Sequence, residues 1–240
     1  MHLPFYTMYV GESRILVRKV FILEKALKRK YCTAVIALVG FVLWTLAVRF
    51  LDVRAIGPRG TSVGFSTING FVRDSIGVCM PLYVVTDWLG LLPVAFMFGF
   101  ATLGLVQWIR RKKLLKVDSS ILILGGFYIV LALVYVFFEK VIINYRPVLI
   151  EGYLEASYPS STTLLVGCVM PTSILQCKQR IQNNTARKTC CILLSVFIVF
   201  MVLGRLIAGV HWFTDIVGGA LLSVGLVVLY SAICQTLDKK

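Results

Sequence analysis

The chain has 240 residues, 58% of them hydrophobic, and carries 25 Lys and Arg against 11 Asp and Glu, a formal charge of +14. Mean hydropathy is +0.86. These values exclude a water-soluble domain and describe one integral membrane unit over residues 1–240, with a basic amino-terminal segment 1–31 and a membrane bundle 32–237.

The amino-terminal segment shows no cleavable signal peptide. Its brief apolar patch, residues 15–23, is interrupted by Arg18 and Lys19. That patch suits either an amphipathic helix lying on the inner membrane surface or a plain lead-in to the first span. Six apolar runs follow, at roughly 32–51, 87–109, 119–138, 160–177, 189–210 and 215–237, each near the ~20 residues that cross ~30 Å of hydrocarbon. The predicted fold is therefore all-α, a six-transmembrane-helix bundle; its fourth span is the shortest. Between the first two spans, residues 52–86 hold turn signals at Gly57, Pro58 and Gly60, and suit either a connecting loop or a short surface helix around Ile68 to Ile76.

Charge orients the bundle. With both termini cytoplasmic, 18 of the 25 basic residues fall on inner segments, in clusters such as Lys28-Arg29-Lys30 and Arg110-Arg111-Lys112-Lys113, against only four acids. The seven outer basic residues are matched by seven outer acids, so the net charge lies on one side, as the positive-inside rule expects. Topology and anionic lipid headgroups account for the basic balance, and no nucleic-acid partner is called for. The seven cysteines show no metal-ligand spacing and read as packing residues; the Asn183-Asn184-Thr185 acceptor falls on the inner side. Gly125-Gly126 and Gly218-Gly219 suggest close helix approach, and the tryptophans, Trp44, Trp88, Trp108 and Trp212, suggest interface anchors.

Three segments meet at the outer face under this topology: EKVIINYRP (139–147), YPSSTT (158–163) and RLIAGVHWFTD (205–215). Apart from His2, His211 is the only histidine of the chain, and Asp215 follows it by four residues. One helical turn would let Asp215 reach the ring and fix its tautomer; equally, the two could simply cap a helix. Arg205 and Arg146 offer planar forks for an anion, and Lys140 a point charge. Pro159, Ser160 and Ser161 make a good helix start, with free backbone N–H groups and a favourable dipole for an anion. A carboxylate-backed histidine can attack phosphorus or move a proton.

These segments resemble the signature of the type 2 phosphatidic acid phosphatase family, which includes lipid phosphate phosphatases and undecaprenyl pyrophosphate phosphatases. The family pattern is KxxxxxxRP, PSGH and SRxxxxxHxxxD on six membrane helices, and the resemblance covers about residues 86–235. It implies a nucleophilic His211 that forms a phosphohistidine, an orienting Asp215, and phosphoryl-oxygen binding by Arg146, Arg205 and Ser160, with Lys140 and Ser161 beside them. It implies neither metal nor other cofactor, a lipid phosphate or diphosphate as substrate, and an outward-facing site in a bacterial cell membrane.

Three departures from the pattern stand out. Five residues, not six, separate Lys140 from Arg146, which puts Glu139 in the lysine position. Gly204 replaces the serine before Arg205. Thr162 replaces the second-motif histidine, which in the family resembles a general acid, and a threonine hydroxyl does not ionise usefully near neutral pH. Expelling an alkoxide from a monoester needs a proton donor, whereas a diphosphate expels a phosphate monoester with a second pKa of ~6. The expected substrate is therefore an isoprenoid diphosphate in preference to phosphatidic acid, unless Glu151, Tyr153, Glu155 or Tyr158 supplies the proton. Two alternatives remain open: a phosphotransferase with the same phosphohistidine step, and a catalytically silent lipid binder or transporter.

Overall fold

The computed structural model describes residues 4–237, with side chains from residue 21 onward. The expectation for the 15–23 patch therefore rests largely on side chains outside the described residues, as do His2, Lys239 and Lys240. Eight α-helices account for most of the described chain: α1 (Pro4–Phe50), α2 (Ser66–Ile76), α3 (Met80–Leu89), α4 (Leu91–Arg111), α5 (Ser119–Lys140), α6 (Ser161–Arg180), α7 (Asn184–Ile207) and α8 (Phe213–Leu237). There is no strand among the described residues, only isolated bridges in the loops.

Five helical stretches are long and apolar enough to cross a membrane: Phe21–Phe50, Met80–Arg111, Ser119–Lys140, Asn184–Ile207 and Phe213–Leu237. Rows of exposed Leu, Ile, Val and Phe on α1, α5 and α7, such as Ile36, Leu133 and Val196, face outward as lipid-covered surface. The second stretch starts earlier than the expected 87, because α3 runs into α4 across Gly90. The surface helix anticipated around Ile68 to Ile76 is α2.

The fourth expected span is α6, which does not reach the apolarity of the other five. Its position explains why. It packs against α4, α5, α7 and α8, so protein covers it where lipid would otherwise be. Its polar side chains bond within the bundle: Thr172 Oγ1 donates to the Cys168 carbonyl (2.9 Å), Ser173 Oγ to the Val169 carbonyl (2.7 Å), and Gln176 Nε2 to Tyr230 Oη (2.8 Å). Hydropathy alone undervalues such a helix.

α8 lies between α1 and α6, and both contacts are close. A Cβ on Gly167 would sit 2.6 Å from Ser223 Oγ, and one on Gly225 would sit 2.7 Å from Leu38. Leu164, Val166, Val169 and Met170 of α6 join Leu124 and Leu131 of α5 and Leu222 of α8 in the main apolar core. Gly218 and Gly219 serve the expected packing role, since a side chain there would strike Tyr158 or the Ser160 carbonyl. Gly125 and Gly126 do not. A Cβ on either meets nothing within 4 Å, and both line a cavity between α4, α5 and α6.

Candidate active site

Two chain reversals build the site. The first is the α7–α8 corner. α7 ends at Ile207, Ala208 caps it, and Gly209 takes φ +68°, where a Cβ would lie 2.1 Å from the Gly77 carbonyl oxygen. Only glycine allows that approach. The chain then runs through Val210, His211 and Trp212 before α8 begins at Phe213. His211 is thus outside the helix. Asp215, in the first turn of α8, accepts a hydrogen bond at Oδ2 from the Trp212 backbone N–H (2.9 Å) and so caps the helix.

The second reversal is the segment between α5 and α6. Glu151 (φ +49°) and Gly152 (φ +84°) form a two-residue turn between Ile150 and Tyr153. The segment folds back on itself: the Arg146 N–H donates to the Glu155 carbonyl (3.0 Å) and the Ser157 N–H to the Asn144 carbonyl (2.9 Å). Arg146 and Ser157 are thereby carried over the α7–α8 corner. The Ser160 N–H donates to the Asp215 carbonyl (3.0 Å), joining the start of α6 to the start of α8.

Asp215 does not touch the His211 ring directly, as the four-residue spacing had suggested. Their nearest nitrogen and oxygen, Nδ1 and Oδ2, are 3.9 Å apart. The spacing rule assumes both residues on one helix, and His211 precedes it. Ser157 fills the gap, with Oγ 3.0 Å from His211 Nδ1 and 2.5 Å from Asp215 Oδ2. Asn144 Nδ2 reaches Asp215 Oδ1 at 3.4 Å. All four residues are buried.

The other ring nitrogen, His211 Nε2, is buried without a hydrogen-bond partner in the protein. So are Arg205 Nε and Arg146 Nε and Nη1. Arg205, 1% exposed, stacks its guanidinium 5.0 Å from the Tyr83 ring centroid, and Nη1 makes only long contacts to Thr86 (3.4 Å) and Asp87 (3.5 Å). Glu155 Oε2 lies 3.0 Å from Arg146 Nε, but the N–H is not directed at it. Burial, together with the charges of Arg146 and Arg205, holds the His211 pKa well below the ordinary imidazole value, which favours the uncharged ring. Buried donors that lack partners beside a bare imidazole nitrogen are the groups that an anion could satisfy.

The remaining predicted residues fall at differing places. Ser160 is fully buried and caps α6, its Oγ accepting from the Thr163 N–H at 3.4 Å. Ser161 and Thr162 line the mouth of the α4–α5–α6 cavity. Lys140 is exposed at the end of α5, and Glu139 lines a small pocket with Ser157, Tyr158 and Ser161. Tyr158 bonds Thr45 (2.7 Å), and burial pushes its phenol upward, away from proton donation. Tyr153 is exposed and Glu151 occupies the turn, which leaves Glu155 as the one of those four beside a guanidinium.

Sequence reading missed Ser157, Asn144 and Asn69. Asn69 of α2 bonds Thr214 twice, through Nδ2 to Oγ1 (3.0 Å) and through Oδ1 from the backbone N–H (3.2 Å). The available signal was weak: polar residues next to the motifs, with no spacing rule of their own. Trp212 and Trp44 are site scaffold, not interface anchors, for their indole N–H groups donate to the Tyr145 and Thr214 carbonyls (2.7 and 3.1 Å).

With this geometry in place, likeness to known proteins is informative. The sequence model of the PAP2 superfamily matches residues 137–239, which include all three segments. Among solved structures, the fold is similar to a transmembrane PAP2-type phosphatidylglycerolphosphate phosphatase from Bacillus subtilis, at 18% identity and a TM-score of 0.50, over 86% of this chain and 96% of that one. Among curated proteins none matches. The likeness to the PAP2 superfamily thus lies in residues 137–239, and the long apolar helices mark the chain as an integral membrane protein.

Proposed function

We propose that this chain is a membrane lipid phosphatase in which His211 attacks the phosphorus of a lipid diphosphate. One observation carries the reading: a buried imidazole whose Nε2 has no hydrogen-bond partner, near two arginines whose Nε atoms likewise make no hydrogen bond. Nε2 forms a bond to phosphorus as the bond to the leaving oxygen breaks, giving a phosphohistidine and a lipid monophosphate. Water then cleaves the phosphorus–nitrogen bond and releases inorganic phosphate. Arg146 and Arg205, with the first turn of α6 at Ser160 and Ser161, stabilise the oxygens on which charge develops. Lys140 at the rim assists by charge alone.

The lipid tail has a suitable place. A cavity of about 1010 Å³ between α4, α5 and α6 extends from Asp87, Ser161 and Thr162 to Trp108 and Leu114, with mainly apolar walls. Its mouth adjoins Arg205 through Asp87. In our reading α6 is the fourth of six spans in one membrane unit, both termini are cytoplasmic and the site faces outward. The basic ends of α4 and α6 support that orientation.

Thr162 favours a leaving group that needs no proton, hence an isoprenoid diphosphate over phosphatidic acid. Purified protein in mixed micelles should release phosphate faster from undecaprenyl diphosphate than from phosphatidic acid; the reverse order would overturn this preference. Thr162 also favours a second reading, a silent lipid binder. Retained lipid binding with no turnover in the wild-type protein would select it.

A further inference from the structure

We infer that Ser157 is a positioning residue of the reaction, the hydroxyl through which Asp215 acts on His211. This rests on the phosphohistidine reading above. The geometry leaves few other roles for it. Ser157 Oγ–H donates to Asp215 Oδ2, so the oxygen's lone pair is available to a His211 Nδ1–H at 3.0 Å. That arrangement keeps the proton on Nδ1 and the lone pair on Nε2, the nitrogen without a partner.

Asp215 cannot take over this role where it stands. Its Oδ2 is also held by the Trp212 N–H, its Oδ1 is contacted by Asn144, and its backbone carbonyl accepts from Ser160. The 3.9 Å separation from the ring is therefore built in. Ser157 is fixed with equal care. Its N–H bonds Asn144, and its neighbour Tyr158 is bonded to Thr45, stacked on Phe41 and packed against Gly218. When Nε2 takes the phosphoryl group, the ring becomes cationic while its Nδ1 proton stays in place. The hydroxyl dipole then conveys that charge to the carboxylate, and no proton has to leave the site. Phosphohistidine formation and its hydrolysis thus depend on the same oxygen.

The test is a double-mutant cycle of Ser157→Ala and Asp215→Asn, assayed on a soluble-chain isoprenoid diphosphate in detergent, with His211→Ala alongside. Ser157→Ala should lower kcat about 10²-fold and leave KM within about threefold, because substrate contacts stay intact. Adding Asp215→Asn should cost far less than the product of the two single losses. Ser157→Ala with wild-type kcat, a loss confined to KM, or losses that multiply would each overturn the inference. If Asp215→Asn does not fold, the kcat and KM of Ser157→Ala decide alone. Turnover surviving in His211→Ala would instead sink the underlying phosphohistidine reading.

Discussion

The two ends of the bundle each gather arginines and an aspartate, and they treat them oppositely. At the end away from the site, Asp118 accepts from Arg111 (2.9 Å), Arg180 (3.0 Å) and Gln107 (2.9 Å). Arg180 spends its other donors on Gln176 (2.8 Å) and Ser120 (3.1 Å). Burial alone would raise the Asp118 pKa, but Arg111, Arg180 and Gln107 overcome it and hold the carboxyl below its ordinary value. At the site end, by contrast, buried Arg146, Arg205 and His211 keep polar atoms without partners. The Asp118 network is satisfied and partly exposed, whereas the site network is more deeply buried and leaves donors unsatisfied, which is the costlier arrangement unless a ligand completes it.

The sharpest way to break that contrast is His211→Ala, which should reduce turnover by roughly 10⁴-fold or more in a phosphate-release assay while the protein still folds and binds lipid. Arg205→Ala and Arg146→Ala should each cost about 10²–10³-fold in kcat/KM, as loss of a charge-stabilising donor does. Gly126→Phe fills the cavity. It should raise KM about tenfold for a long-chain diphosphate and leave a short-chain analogue unaffected. An equal effect on both would remove the tail from that cavity.

The pH profile sharpens the comparison further. His211 must be neutral to attack, and its pKa is depressed, so the acidic limb of kcat/KM should lie below the ordinary imidazole value of about 6.5. Arg146→Gln removes one of the charges responsible and should move that limb upward. The smallest effect belongs to the satisfied end. Asp118→Asn should lower stability by about 1–2 kcal/mol, read as thermal melting in detergent, with turnover within about twofold. Because the folded Asp118 pKa is depressed, its contribution is present above the unfolded value of about 3.9 and is lost as pH falls through the folded one.

Much of the site was legible in the chain because Arg146, Ser160, Arg205, His211 and Asp215 lie in short motifs whose spacing survives folding. Lys140 and Glu139 were harder. They sit where α5 ends, and only the direction of the last turn shows that both are exposed. Gly125 and Gly126 resemble Gly218 and Gly219 in sequence, yet one pair opens onto a cavity and the other touches its neighbours. No local pattern distinguishes them. The same holds for α6, whose polar side chains make it a poor span by hydropathy and a well-buried helix in the bundle.

What the amino-acid order alone determined is the membrane class, the helical architecture and the residue types of the candidate site, since hydropathy runs and motif spacing are local properties. Which groups meet was a tertiary decision. Ser157 stands 54 residues from His211 and 58 from Asp215, and their contact exists only because a loop hairpin folds over a helix corner. Contacts across such separations depend on backbone geometry that no window of sequence contains.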